Sequence, residues 1–289
     1  MSYQLFTDAT ADLTAGMLAG LPEVHIIPMQ ITLDNRAFTY GPGGDITVEQ
    51  FYAAQRAGKF ASTSQINPSV YLQAFEKCLR EGNDVLYLCF SSGMSGTYQT
   101  ARLCAEELEE TYPARRVLCL DTRCASVGEG FLVREAARKQ AEGLSLTQLA
   151  AWVEAHKFAV CHWFTVDTFD HLKHGGRVSA TAAVVGTLMQ IKPLLHVTGA
   201  GTLEMVEKPR GTKRAMDAQL AHMQKGWTPA AGKLVIVGHG DCSVRAEQLA
   251  IRVQEKFSGA QVHIAPIGPV IGAHTGPGML ALIFWGTER

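Results

Sequence analysis

The run Asp84-Val85-Leu86-Tyr87-Leu88-Cys89-Phe90 and the turn after it, Ser91-Ser92-Gly93-Met94-Ser95-Gly96-Thr97-Tyr98-Gln99-Thr100-Ala101, decide the fold class. Val85 to Phe90 is unbroken apolar sequence with turn residues before it, as expected of a strand buried on both faces. From Gln99 to Glu110, the residues Ala101, Leu103, Cys104, Ala105 and Leu108 recur at helical spacing. The stretch between is a strand-to-helix turn crowded with glycine and hydroxyls. In an open α/β sheet such turns lie at the carboxyl ends of the strands, where free backbone N–H groups collect and ligands bind. A negatively charged head group suits that place.

Upstream, Gln4 to Thr7 reads as a first strand, with Thr10 and Asp12 as candidate caps of a helix running to Gly20. Val24 to Leu33 supplies further strand, bent or placed at an edge by Pro28. Thr47-Val48-Glu49-Gln50 has the pattern of a capping box, and Asn67-Pro68 that of an N-cap and first turn. Thr63 and Ser64, just before it, add hydroxyls beyond what capping needs. Downstream, Arg116 to Leu120 is another strand, Ser126 opens a helix to Gln140, and Ser145 opens one more. This alternation implies a doubly wound, mostly parallel sheet.

Near residue 158 the pattern changes. Phe158 to Val166 is strand-like, Asp167 to Lys173 a short helix, and Ser179 to Gln190 a longer apolar one. Leu194–Thr198 and Leu203–Lys208 form a hairpin across Gly199-Ala200-Gly201. Two helices and three strands follow, the last being Leu280 to Trp285. The expectation is an N-terminal α/β domain over residues 1–157 and a C-terminal α+β domain over 158–289, with a ligand between them.

The 289 residues carry a formal net charge of -1, which argues against nucleic acid as main partner. No apolar segment reaches membrane-spanning length and the first residues lack a secretion signal, so a cytoplasmic location is expected. Seven cysteines, an odd number without a C-x-x-C, read as small core residues. His171 and His174 share a helical face, yet no dense cluster of further ligands surrounds them, so they read as surface residues. Gly93 to Thr97 nearly matches a nucleophile elbow, with Asp121 and His274 following in hydrolase order; the second glycine falls one residue too early. A serine hydrolase of acyl esters using Ser95, Asp121 and His274 is therefore the alternative reading.

Taken together, several motifs resemble the DegV family of bacterial fatty-acid-binding proteins, which includes the FakB subunits of fatty acid kinase. They are Asp8 to Leu13, Thr63-Ser64-Gln65, Ser91 to Ala101, Leu172 to Arg177, Ile191-Lys192-Pro193, Arg210 to Lys213, Ile267 to Gly272 and His274 to Gly278. The resemblance implies a non-catalytic carrier with a long-chain fatty acid as its ligand, no other cofactor, and a separate ATP-binding kinase subunit as partner, which converts the carboxylate to an acyl phosphate for phospholipid synthesis. It implies that Thr63, Ser64, Ser95, Gly96, His274 and Thr275 hold the carboxylate. Arg177 and Arg210 then serve phosphoryl transfer or kinase docking outside the pocket. Val184, Val185, Leu188, Met189 and Ile191 are expected tunnel or core residues.

Overall fold

A computed structural model describes residues 2–178 and 190–289. The first strands are β1 (Tyr3–Asp8), β2 (Val24–Ile27), β6 (Asp84–Cys89) and β7 (Val117–Asp121). They form an all-parallel sheet in the order β2-β1-β6-β7. Every residue of β6 is buried, as its continuous apolar run requires. Proline at position 28 ends β2 and lets the chain leave this sheet for β3 (Met29–Leu33). With β4 (Arg36–Tyr40) and β5 (Ala61–Thr63), β3 forms a small antiparallel sheet in the order β4-β3-β5. β4 is an element that the sequence reading does not contain.

The remaining strands are β8 (Val160–Thr165), β9 (Leu194–Val197), β10 (Leu203–Glu207), β11 (Leu234–His239), β12 (Gln261–Pro266) and β13 (Leu280–Trp285). They build a mixed sheet ordered β10-β9-β8-β13-β11-β12, in which only β11 and β12 run parallel. Its two faces follow from the two-residue period of a strand. Cys161, Trp163, Leu282 and Phe284 face an outer core with Met216, Leu220, Leu249 and Val253, while Val160, Phe164, Ala281 and Ile283 belong to the central core.

Helix α5 (Ser126–Ala141) is the centre of that central core. Every residue from Ser126 to Val133 is buried, the mark of a helical stretch with no solvent face. Phe131, Leu132, Val133 and Ala136 share one cluster with Leu5, Leu86 and Leu88 of the parallel sheet and with Phe164, Ile236 and Ile283 of the mixed one. The expected capping box occurs at Thr47, which opens α2 (Val48–Arg56), and Ser145 opens α6 (Leu146–His156) with a second box. Asn67 caps α3 (Pro68–Arg80) by accepting from the Ser69 N–H.

Several expectations need correction. The helix after β1 is only α1 (Ala15–Leu18), and its cap is Thr14, neither Thr10 nor Asp12. Asp12 instead sits in the left-handed region with its carboxylate turned inward, and Asp8 caps a 3-10 turn at Ala9–Ala11. The short helix expected over 167–173 is α7 (Asp170–His174). The helix expected from Ser179, with Val184, Val185, Leu188 and Met189, lies outside the described residues. Ile191 bridges Arg210 and is absent from the described cavity wall. Finally, the chain crosses back late. The helix Pro269–Thr275 packs on β3, β5 and α2 of the N-terminal half as well as on α7.

The ring of Phe131 meets Trp285 edge-on, centroids 4.9 Å apart, with both residues buried. Phe131→Ala should therefore cost about 3–5 kcal/mol. Equilibrium denaturant unfolding checks this, and a loss below about 1 kcal/mol would contradict the central placing of α5.

Candidate functional site

Between α5, the helix Pro269–Thr275 and the inner face of the mixed sheet lies a cavity with about 880 Å³ of free space, its open mouth included. One part of its wall is apolar: Met29, Phe90, Phe164, Val270, Ile271 and Ile283 among others. Phe164, Ala281 and Ile283 reach it because they are alternate residues on one sheet face. The other part carries Thr63, Ser64 and Gln65 from the end of β5, Ser95 from the turn after β6, Arg177 after α7, and His274 and Thr275. Residues far apart in sequence, from both halves of the chain, thus meet in one wall: His274 reaches Thr63, and Gly96, next to Ser95, abuts the Gln65 side chain.

His274 Nε2 lies 2.8 Å from Thr63 Oγ1. Burial, with the charges of Arg177 and His174 adding to it, lowers the His274 pKa to about 4, so the ring is neutral at pH 7. Its Nδ1 has no hydrogen-bond partner among the described residues. The ring is seated by Gly175, where a Cβ would come within 2.1 Å of Nδ1. Only glycine permits the turn after α7 to approach so closely. α7 is held in place by His171 and His174, whose rings lie 4.8 and 4.9 Å from that of Phe60.

Ser95 sits before α4 (Thr97–Thr111), whose N-cap is Gly96 with no side-chain cap. Ser95 Oγ accepts from the Thr97 N–H at 3.2 Å and is 2.7 Å from Thr97 Oγ1. If the fully buried Thr97 donates its own proton here, the Ser95 proton is available to a guest in the cavity. Thr275 Oγ1 donates to Ile271 O, which leaves it only lone pairs. Of the two arginines expected outside the pocket, Arg177 contributes to the wall while remaining exposed and donates to Gly175 O, and Arg210, also exposed, does not contribute to the described wall.

The hydrolase relay is not assembled. Asp121 accepts from the N–H and hydroxyl of Ser92 at 3.1 and 2.6 Å and pairs with Arg123 at 2.7 Å. His274 is turned to Thr63 and Ser95 to Thr97. Among the described residues no group of three or more His, Cys, Asp or Glu side chains could hold a metal ion.

The sequence reading missed Thr10, Ser126 and His162, which also line the cavity. Behind them sit three buried carboxyl groups. Thr10 Oγ1 contacts both Asp8 and Glu129, the latter at 2.7 Å. One hydroxyl proton cannot serve two carboxylates, so one of the acids holds a proton. Burial first, and the Asp8 charge second, push Glu129 well above the usual range, and burial raises Asp8 as well, so the proton belongs to this pair. Asp12, raised by burial to about 7, joins Ser126 Oγ at 2.6 Å to the Gly268 N–H at 2.8 Å. It thereby ties α5 to the start of the helix that carries His274. His162, also neutral through burial, is wedged against Gly128, where a Cβ would meet its Nε2 at 2.0 Å. The glycines in Gly128-Glu129-Gly130 were the available signal, since glycine inside a helix is costly unless something approaches closely.

Residues 2–286 match a family model described as "Uncharacterised protein, DegV family". A DegV domain-containing protein of Clostridium perfringens is 39% identical over 287 residues, 99% of this chain and 98% of the relative. A solved structure of a DegV family protein from Thermus thermophilus, described for its fatty acid binding, superposes with a TM-score of 0.85 at 29% identity, covering 99% of this chain and 100% of the other. The fatty acid kinase B3 protein of Streptococcus pneumoniae, solved loaded with linoleic acid, is alike in fold, with a TM-score of 0.87 at 22% identity and 99% coverage of both chains.

A lowered histidine pKa means that the fold resists protonation there. The stability His274 contributes is complete above its unfolded pKa near 6.5 and is lost as pH falls towards 4, by about 3 kcal/mol. Comparing denaturant unfolding of the parent and His274→Gln at pH 7.5 and 4.5 checks this. The parent should lose more stability than the variant, and equal losses would contradict a neutral His274.

Proposed function

The chain belongs to the DegV family, and from that premise we propose that it is a non-catalytic carrier of one long-chain fatty acid. The carboxylate lies among Thr63, Ser64, Ser95, Gly96 and His274, beside Thr275, whose hydroxyl proton is already given to Ile271 O, and the tail lies under the mixed sheet. The Thermus thermophilus relative is described as binding fatty acid, which supports the ligand class. The observation that carries the reading is the cavity itself, with an apolar wall leading to a cluster of neutral donors.

The energetics favour such a guest. Burying a methylene is worth about 0.8 kcal/mol, so some fourteen of them supply roughly 11 kcal/mol before ordering costs. The head group works the other way, because a buried carboxylate without partners costs several kcal/mol. Hydroxyl, imidazole and backbone N–H donors offset that cost without a bidentate arginine pair. A carboxylate held this way keeps the nucleophilicity needed to attack a phosphoryl group.

The carrier then presents its ligand to an ATP-binding kinase subunit, which forms the acyl phosphate used in phospholipid synthesis. The pneumococcal protein of this fold is by name a fatty acid kinase protein, which supports that partner. Arg177, at the polar end, meets the incoming phosphoryl charge, and the exposed Arg210 meets the partner. No described helix is long and apolar enough to cross a membrane.

Native mass spectrometry of the purified protein should show one fatty acid per chain, extractable as the intact free acid. Paired Thr63→Val and Ser95→Ala changes should weaken retention at least tenfold, since each removes a hydrogen bond to a charged group worth about 1.5–3 kcal/mol. Arg177→Ala should keep the lipid yet lower acyl-phosphate formation with a kinase subunit. A protein that carries no lipid and takes up none from added oleate would refute the carrier reading.

A further inference from the structure

The hairpin of β9 and β10 contributes to the cavity wall and also contacts the turn that leads to Ser95. Val197 and Leu203 face each other across it as register partners, and both line the cavity. Its tip is Gly199-Ala200-Gly201, closed by a Thr198–Thr202 hydroxyl contact of 2.9 Å and a Thr198 N–H to Thr202 O bond of 2.8 Å. The tip reaches across to the other half of the chain and rests on the turn that carries Ser95. Ser91 Oγ donates to Gly201 O at 2.7 Å, and Arg123 donates to Ala200 O at 2.7 Å.

The fit leaves no slack. A Cβ on Gly93 would stand 2.6 Å from Ala200 O, and one on Gly201, whose φ is +75°, would stand 2.1 Å from Ser91 Oγ. Asp121 fixes the same turn from below. It accepts from Ser92 twice and pairs with Arg123, while its own carbonyl takes the Lys157 ammonium at 2.9 Å. Asp121 and Arg123 therefore join the hairpin tip and the serine turn into one unit.

We propose that this hairpin couples the two ends of the ligand, with Arg123 and Asp121 as positioning residues. A tail packed on Val197 and Leu203 sets the hairpin, and the hairpin tip sets how Ser95 is presented to the head group. Acyl chains that fill that wall are held more tightly at the carboxylate than chains that leave it empty. Tail selectivity is thus read partly through the head-group grip, by side chains that touch neither end of the fatty acid. The inference rests on the fatty-acid reading above.

The test uses hexadecanoate labelled with ¹³C at the carboxyl carbon, bound to the parent, Leu203→Ala, Arg123→Lys and the double variant. Lysine keeps the charge and loses the fork of N–H donors. Leu203→Ala should shift the carboxyl resonance in the parent background and leave it unmoved in the Arg123→Lys background, where the fork is missing. Each single change should speed dissociation about tenfold, and the double change should add little beyond that, because coupled sites are non-additive. An unmoved resonance in Leu203→Ala, or single effects that multiply to about a hundredfold, would overturn the coupling. If the parent takes up no hexadecanoate, the carrier reading fails. Amide exchange at residues 92–97 of the ligand-free protein then decides the latch: faster exchange in Arg123→Lys supports it, and unchanged exchange overturns it.

Discussion

The hydrogen bond between Thr63 and His274 is the point at which the molecule's parts converge. Thr63 ends a strand of the small antiparallel sheet. His274 comes from a helix some two hundred residues later that has crossed back to pack on that sheet. The glycine turn after α7 closes on the imidazole from a third direction. A charged ring could not sit in such an enclosure without a counter-ion, so enclosure and neutrality are one constraint. From it follows a polar end made of donors that carry no formal charge, with a single arginine at its edge.

The same logic governs the wall behind the cavity. Asp8, Asp12 and Glu129 are buried with no cation among their hydrogen-bond partners in the described residues. They are tolerated because hydroxyls, a tyrosine and the backbone N–H groups of Thr10 and Gly268 satisfy them, and because one of them keeps its proton. This network joins the 3-10 turn, α5 and the start of the helix bearing His274, so the floor of the site is fixed by polar bonds while its sides are fixed by packing. α5 lies between two sheets and cannot shift without disturbing both.

Much of this was legible in the chain. The apolar run of β6, the capping box at Thr47, the helix starts at Asn67-Pro68 and Ser145 and the hairpin at Gly199–Gly201 are local signals, and each has its counterpart in the fold. That Thr63, Ser95 and His274 share one cavity wall was reached through family resemblance, because their spacing does not by itself bring them together. The strand β4 was missed because all of its residues are exposed or half-buried and carry no clean alternation. Thr14 displaced Thr10 and Asp12 as a cap because the latter two turn inward to satisfy buried partners, a tertiary demand that local propensity cannot express. Arg177 was expected outside the cavity and lines it, since its charge says nothing about where the glycine turn before it will fold.

The most direct measurement is diffraction from crystals of the protein with a fatty acid brominated at its terminal carbon, which marks both ends of the ligand independently. The carboxylate should lie within hydrogen-bond distance of Thr63, Ser95 and His274, with the bromine's anomalous signal among the apolar side chains beneath the mixed sheet. A carboxylate paired chiefly with Arg177, or a bromine signal at the polar end, would contradict a head group held by neutral donors.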